Sequence, residues 1–229
     1  MKTNPNWALS MKDAKRDFLL QAAREEFMDK GLEGATMRGI SLRAGCTTGA
    51  IYPLFDSKED IYAALLGQSL ALLDAHVAAA VSEAASPAAQ VASACDAFLD
   101  YYSQHPFEVN LGLYAFRGIK RLGVGKDSDQ ALNGALWTVL ERIALPLAEA
   151  RSLPAQEVRL WVALVFSQMI GALVLQLAGR LGALDTRPKD LLHLMLAQLL
   201  PAETAAPPAP QRKTPSKPTA TRKSRHGEN

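Results

Sequence analysis

The sequence predicts an all-α protein, with a small N-terminal three-helix unit carried on a larger C-terminal helical body. Three observations predict it. Apolar residues recur at helical spacing through most of the chain before position 202, no convincing strand alternation interrupts them, and capping residues stand where the apolar stripes begin and end. With 229 residues, 48% hydrophobic and 21% charged, the chain has enough apolar surface for a core without staples.

The elements follow in order. A first helix over about 12–30 puts Phe18, Leu19, Ala22, Ala23 and Phe27 on one stripe, with Lys15, Arg16, Glu25 and Glu26 largely off it. Gly31 followed by Leu32 reads as a left-handed terminator with its hydrophobic contact. Thr36 suits the N-cap of a short second helix, Gly45 its end, and Thr47 the cap of a third. Ser57-Lys58-Glu59-Asp60 resembles a capping box, with Asp in place of Glu or Gln, ahead of Ile61, Leu65, Leu66 and Leu70. Further helices are expected over about 87–104, 107–118 and 129–150, with Gly123 to Ser128 as a loop and Pro146 kinking or ending the last of these. Pro154 suits the first turn of a helix reaching about 180, and 188–200 is the final one.

Nothing between Arg159 and Arg180 is charged. By length this run fits a membrane span, but Ser167, Gln168, Gln176 and Gly171 interrupt it and no second span is evident. The favoured reading is a buried helix with one face on its own core and the other on a partner subunit. Domain expectations are an extension over 1–11, the three-helix unit over 12–66, the larger body over 67–201 and a tail over 202–229. The tail has six basic residues against two acidic, a net +4, and lacks Leu, Ile, Val, Met and aromatics, so it reads as disordered. The rest of the chain nets −2, with 19 basic and 21 acidic residues.

Signals of catalysis are sparse. Cys46 and Cys95 give neither a disulfide framework nor a metal-ligand spacing. His76, His105 and His193 are scattered, Asp96 and Asp100 read as a solvated helix edge, and P-loop, GxGxxG, GxSxG and HExxH patterns do not occur. The expectation is no catalytic residue, no metal and no cofactor. Residues 1–7 hold no apolar run, so no secretory signal is read and the expected compartment is the cytoplasm.

The most informative stretch runs from Thr36 to Tyr52. Two short helices meet at a glycine turn, Ile40, Cys46, Ile51 and Leu54 point inward, and Ser41 and Ala44 are small where the helices cross. That is a helix-turn-helix, whose second helix can enter a major groove about 12 Å wide. Its second helix begins with Thr47, Thr48 and Gly49, small enough for a backbone to approach phosphates. Residues 1–66 hold nine basic and nine acidic residues, so no general basic face supports the reading; the motif carries it.

From Arg16 to Leu66 the sequence resembles the tetracycline-repressor (TetR) family of transcriptional regulators. The resemblance rests on Ala22-Ala23-x-x-x-Phe27-x-x-x-Gly31, then Thr36, then Ala44-Gly45-Cys46-Thr47-Thr48-Gly49-Ala50-Ile51-Tyr52-x-x-Phe55-x-Ser57-Lys58-Glu59. Pro53 and Leu54 depart from it, standing where the family commonly has a polar residue and an aromatic, and Cys46 replaces the usual Val. Pro53 either alters the end of the recognition helix, removing a phosphate contact, or merely terminates it.

The resemblance implies a dimeric repressor that binds a double-stranded DNA operator and is released by a small-molecule effector, with no membrane partner. Thr36 and Lys58, at helix starts, and the Tyr52 hydroxyl are expected at phosphates. Arg38, Thr47, Thr48 and Gly49 are expected at or near base edges, while Arg43 either reaches the backbone or solvates its helix. Phe98, Tyr102, Asn110, Tyr114, Arg117, Trp137 and Gln168 are candidates for an apolar effector pocket with polar handles, though each also reads as ordinary bundle core. The expected dimer face uses Leu160–Gly179 with Leu191, Leu192, Leu194, Leu196, Leu199 and Leu200. Two rivals stay open at this level: a helical enzyme acting on an apolar substrate through Asp96 or His105, and a protein anchored in a membrane by 160–179. The tail either adds sequence-independent DNA affinity or only solubilises.

Overall fold

The computed structural model describes residues 5–114 and 125–200. Among these the long regular elements are all helices: α1 (Pro5–Gly34), α2 (Met37–Arg43), α3 (Lys58–Ser82), α4 (Pro87–Gln104), α5 (Pro106–Tyr114), α6 (Lys126–Arg151), α7 (Ala155–Leu177) and α8 (Pro188–Leu199). Two 3₁₀ turns, Thr48–Ala50 and Gly182–Leu184, complete the regular structure. The predicted tail, the 123–124 part of the predicted loop, Arg117 and the Tyr114 side chain lie outside the described residues.

Local chemistry accounts for the boundaries. Gly31 breaks α1 with φ +67°, a left-handed conformation that glycine enters without a Cβ penalty. α1 begins at Pro5 rather than 12. The Thr36 hydroxyl accepts the Gly39 N–H and caps α2. Ser57 and Asp60 exchange both bonds of a capping box at the head of α3. Pro146 does not end its helix: α6 runs on to Arg151 and stops where Ser152 turns left-handed. Pro146 is itself buried, between Ile143, Ala144 and Leu147 in sequence, and that packed face holds the helix together across the missing N–H.

The helices enclose two cores that share α3. Leu19, Ala23, Phe27, Ile40, Ile51 and Phe55 pack with Ile61, Tyr62 and Leu65 in the first. Leu70, Leu73 and Val77 enter the second, with Phe98, Val139, Ile143, Val165, Met169 and Leu192. α5 closes the seam. Leu111 is buried in the first core, the Tyr62 hydroxyl donates to its carbonyl, and Arg24 pairs with the buried Glu108 while lying 4.8 Å over the Phe107 ring.

α3 and α7 are each long and apolar enough to cross a membrane by length and composition. In this fold α3 is the shared wall of both cores. α7 buries Val162, Val165, Met169, Ala172 and Leu173 and exposes a second stripe, Leu160, Leu164, Ser167, Gly171, Val174 and Leu175. α8 is more inward than expected: Leu192, Leu196 and Leu199 serve the chain's own core, Leu191 and Leu200 are half-buried, and Leu194 points out.

Candidate nucleic-acid interface

The helix-turn-helix is α2, the turn at Gly45 and the segment from Thr47 to Phe55. Ile40, Ala44, Ile51 and Phe55 are buried beneath it, so the opposite edge presents polar and small side chains. Thr36, Arg38, Thr47, Gly49 and Tyr52 are exposed along that edge, and Thr48 is half-buried among them. The Thr36 oxygen takes the Gly39 N–H and its proton remains to donate outward.

The second helix of the motif is shorter than expected. Only Thr48–Ala50 forms a 3₁₀ turn, followed by turns to Leu54, with Ala50 N–H on the Thr47 carbonyl and Ile51 N–H on the Thr48 carbonyl. Pro53 has no N–H to offer the Gly49 carbonyl, which is what continuing the α-helix from here would require. Thr47 holds the N-cap position with extended backbone, but its side chain makes no cap hydrogen bond.

What holds this edge on its base is a buried carboxylate. Glu26, 1% exposed, accepts from Lys30 at 2.7 Å and from Arg43 Nε at 2.5 Å, while Arg43 also reaches Asp29 at 2.5 Å. The Arg43 and Lys30 hydrogen bonds, opposed by burial, hold the Glu26 carboxyl below its ordinary range. Arg43 thus ties α2 to α1. Gly39 lies directly over this carboxylate: a Cβ there would collide with the Glu26 carboxylate oxygen and stand 2.8 Å from its Cδ. At Gly49, by contrast, a Cβ would meet nothing within 4 Å.

Lys58 has a different place from the one its helix-start position suggests. Its Nζ lies 2.9 Å from the Leu32 carbonyl, 3.2 Å from Glu33 and 3.1 Å from Ala35, which occupies all three ammonium protons. In this arrangement it binds the end of α1 to the start of α3. Lys58→Met, which keeps the stem, is expected to cost about 2 kcal/mol, less than the sum for three charged hydrogen bonds because the site is half in water. Thermal denaturation beside the wild type measures it.

The candidate effector residues separate into two places. Phe98 and Tyr102 are buried in the second core, edge to face with centroids 4.9 Å apart, and Phe98 meets Phe166 at 6.1 Å. Trp137 packs partly against that core, donates to Glu141 at 2.7 Å and carries Arg159 4.7 Å over its ring; Gln168 is half-buried on α7. Asn110 is elsewhere. It is exposed on α5 and lines a cavity of about 450 Å³ at the seam, with Phe27, Met28, Leu32, Tyr62 and Phe107. Asp96 and Asp100 form more than a solvated edge, because they pair across to α8 with His193 at 2.8 Å and Lys189 at 2.8 Å. Among the described residues no group of three or more His, Cys, Asp or Glu could hold a metal ion.

Comparison with known proteins places this geometry. Residues 19–65 match the family described as bacterial regulatory proteins, tetR family. The HTH-type transcriptional activator FasR of Mycolicibacterium smegmatis is 33% identical over 90 residues, 39% of this chain and 41% of FasR, so the match spans less than half of that relative. Two solved structures share the fold. FadR from Bacillus subtilis in complex with stearoyl-CoA matches with a TM-score of 0.64 at 18% identity, over 80% of this chain and 96% of that one. The TetR family transcriptional regulator PfmR from Thermus thermophilus matches with a TM-score of 0.57 at 17% identity, over 80% and 96%. Residues 19–65, which hold the helix-turn-helix, are therefore similar to the tetR family, and the chain shares the fold of solved regulators such as PfmR.

Proposed function

We propose that this chain is a sequence-specific DNA-binding transcriptional regulator, acting as a dimeric repressor that a small, largely apolar molecule releases from its operator. The observation that carries it is the exposed edge of Thr36, Arg38, Thr47, Gly49 and Tyr52, held over the buried Glu26 knot within a tetR-family match. The assignment gives DNA binding to 12–66 and effector binding with dimerisation to 67–201. Thr36 and Tyr52 serve phosphates, Arg38, Thr47 and Gly49 approach bases, and Lys58 positions the motif instead of touching DNA. The exposed stripe of α7, with small Ser167 and Gly171 at its middle, suits close packing on a second copy in the cytoplasm better than contact with lipid.

Support for an apolar effector comes from the aromatic cluster of Phe98, Tyr102 and Phe166, and from the FadR neighbour's bound stearoyl-CoA. Such a molecule acts only by binding the two conformations unequally, and a tilt of α3 is the motion that reaches the DNA edge.

Selection from a randomised duplex library with the full-length chain tests the reading, and a library with no enriched sequence overturns it. On the enriched sequence, Tyr52→Phe is expected to weaken binding about equally for all competitors, as loss of a phosphate contact does. Arg38→Ala is expected to relax preference at one base pair in each half-site, by about 1–3 kcal/mol of lost discrimination. Competition titrations against scrambled duplexes separate the two behaviours.

A further inference from the structure

Ser41 is a buried hydroxyl, 3% exposed, in the middle of α2. Its Oγ lies 2.9 Å from the Arg38 carbonyl and 3.1 Å from Thr48 Oγ1. Two hydroxyls and one carbonyl can make both bonds in one direction only. A carbonyl cannot donate, so Ser41 spends its single proton on Arg38, and Thr48 must supply the proton between the two hydroxyls. Thr48 therefore reaches solvent with lone pairs and no proton.

We propose that Ser41 determines what Thr48 recognises: by taking the Thr48 proton it makes that hydroxyl an acceptor, directed at an exocyclic amino group of adenine or cytosine. This rests on the DNA-binding reading above. In the major groove the adenine N6 and cytosine N4 amino groups donate, whereas guanine N7 and O6 and thymine O4 accept. Phosphate oxygens accept as well. A threonine with a free rotor serves all of these alike and reads little. Thr48, with its proton committed inward, serves only the donors. Its neighbours do not share the restriction, since Thr47 makes no cap bond and Gly49 has no side chain. Ser41 touches no base itself and is a positioning residue for base choice.

The experiment selects randomised duplex with four full-length proteins: wild type, Ser41→Ala, Thr48→Val and Thr48→Ser. Wild type is expected to enrich a site in which one base pair per half-site presents an amino group to this position. Ser41→Ala frees the Thr48 proton, so guanine and thymine are expected to rise at that pair, with about a fivefold loss of discrimination there. Preference elsewhere and the salt dependence of binding stay as in the wild type. Thr48→Val, nearly isosteric and without a hydroxyl, is expected to lose discrimination at the same pair, whereas Thr48→Ser retains it.

A wild type that enriches nothing overturns the DNA reading and this inference with it. A wild-type motif left unchanged by Ser41→Ala in protein with a wild-type melting curve overturns this inference alone. Should Ser41→Ala fold poorly, the Thr48 variants decide: a motif indifferent to Thr48→Val overturns the inference.

Discussion

Gly39→Ala is expected to lower the melting temperature by about 10 °C, the opposite sign from helix propensity, which favours alanine by about 1 kcal/mol in a helix interior. The reason is the Glu26 carboxylate beneath it. A Cβ would displace that group from Lys30 and Arg43, and disrupting a buried ion pair costs about 3–5 kcal/mol. The net loss of about 2–4 kcal/mol falls on the platform under the exposed edge. The pH dependence identifies the cause. Because the folded-state pKa of Glu26 is lowered from 4.5, its contribution is fully present above that value and is lost as pH falls through the folded pKa. Wild type and Gly39→Ala should therefore differ most near neutrality and converge in acid. Melting curves across pH 3–7 check it, and a constant difference at every pH would assign the cost to sterics alone. Gly49→Ala serves as the control, since a Cβ there meets nothing.

On the proposed dimeric reading, the double substitution Leu160→Glu with Leu164→Glu is expected to leave a monomer at micromolar concentration. It is also expected to weaken operator binding by about 10²–10⁴-fold, the loss when a linked second contact becomes a separate encounter. Leu160 is 73% exposed and Leu164 50%, one turn apart on the outer stripe of α7, so charges there leave the protomer's own core intact. Sedimentation and DNA titration on the same preparation measure both effects. A dimer that survives the double substitution assigns self-association to another surface, with Leu194 the next position to change.

Much of this architecture was legible because capping and turn chemistry is local. Thr36, Gly31 and the Ser57–Asp60 box each act within four residues, and each stands in its expected role. The polar knots were not legible. Glu26 meets Arg43 across 17 residues, Lys58 reaches carbonyls 23 to 26 residues away, and Asp96 meets His193 across 97. A backbone carbonyl carries no residue type, so no pattern of letters could reveal where the Lys58 ammonium goes. Periodicity likewise separates an inward from an outward stripe but not which chain covers the outer one, and that left the α7 stripe open. Pro53 announced a disturbance in the motif's second helix. That the result is a single 3₁₀ turn depends on Ile51 and Phe55 being held in the core on either side of it.

The sharing of α3 between the two cores makes it a lever arm. A helix of 25 residues is about 37 Å long at 1.5 Å per residue. With α3 held at Leu73 and Val77 in the second core, about 22–28 Å along the helix from its start, a tilt of about 5° carries its first turn roughly 2 Å. Lys58 stands in that first turn, riveted to the Leu32 and Glu33 carbonyls at the end of α1 and to the Ala35 carbonyl just beyond it, so the end of α1 travels with it. In a two-fold assembly the opposed edges would move together, changing their separation by up to about 4 Å against half-sites about 34–36 Å apart. On the proposed reading, a tilt of that size would be enough to put one of the two edges out of register with its groove.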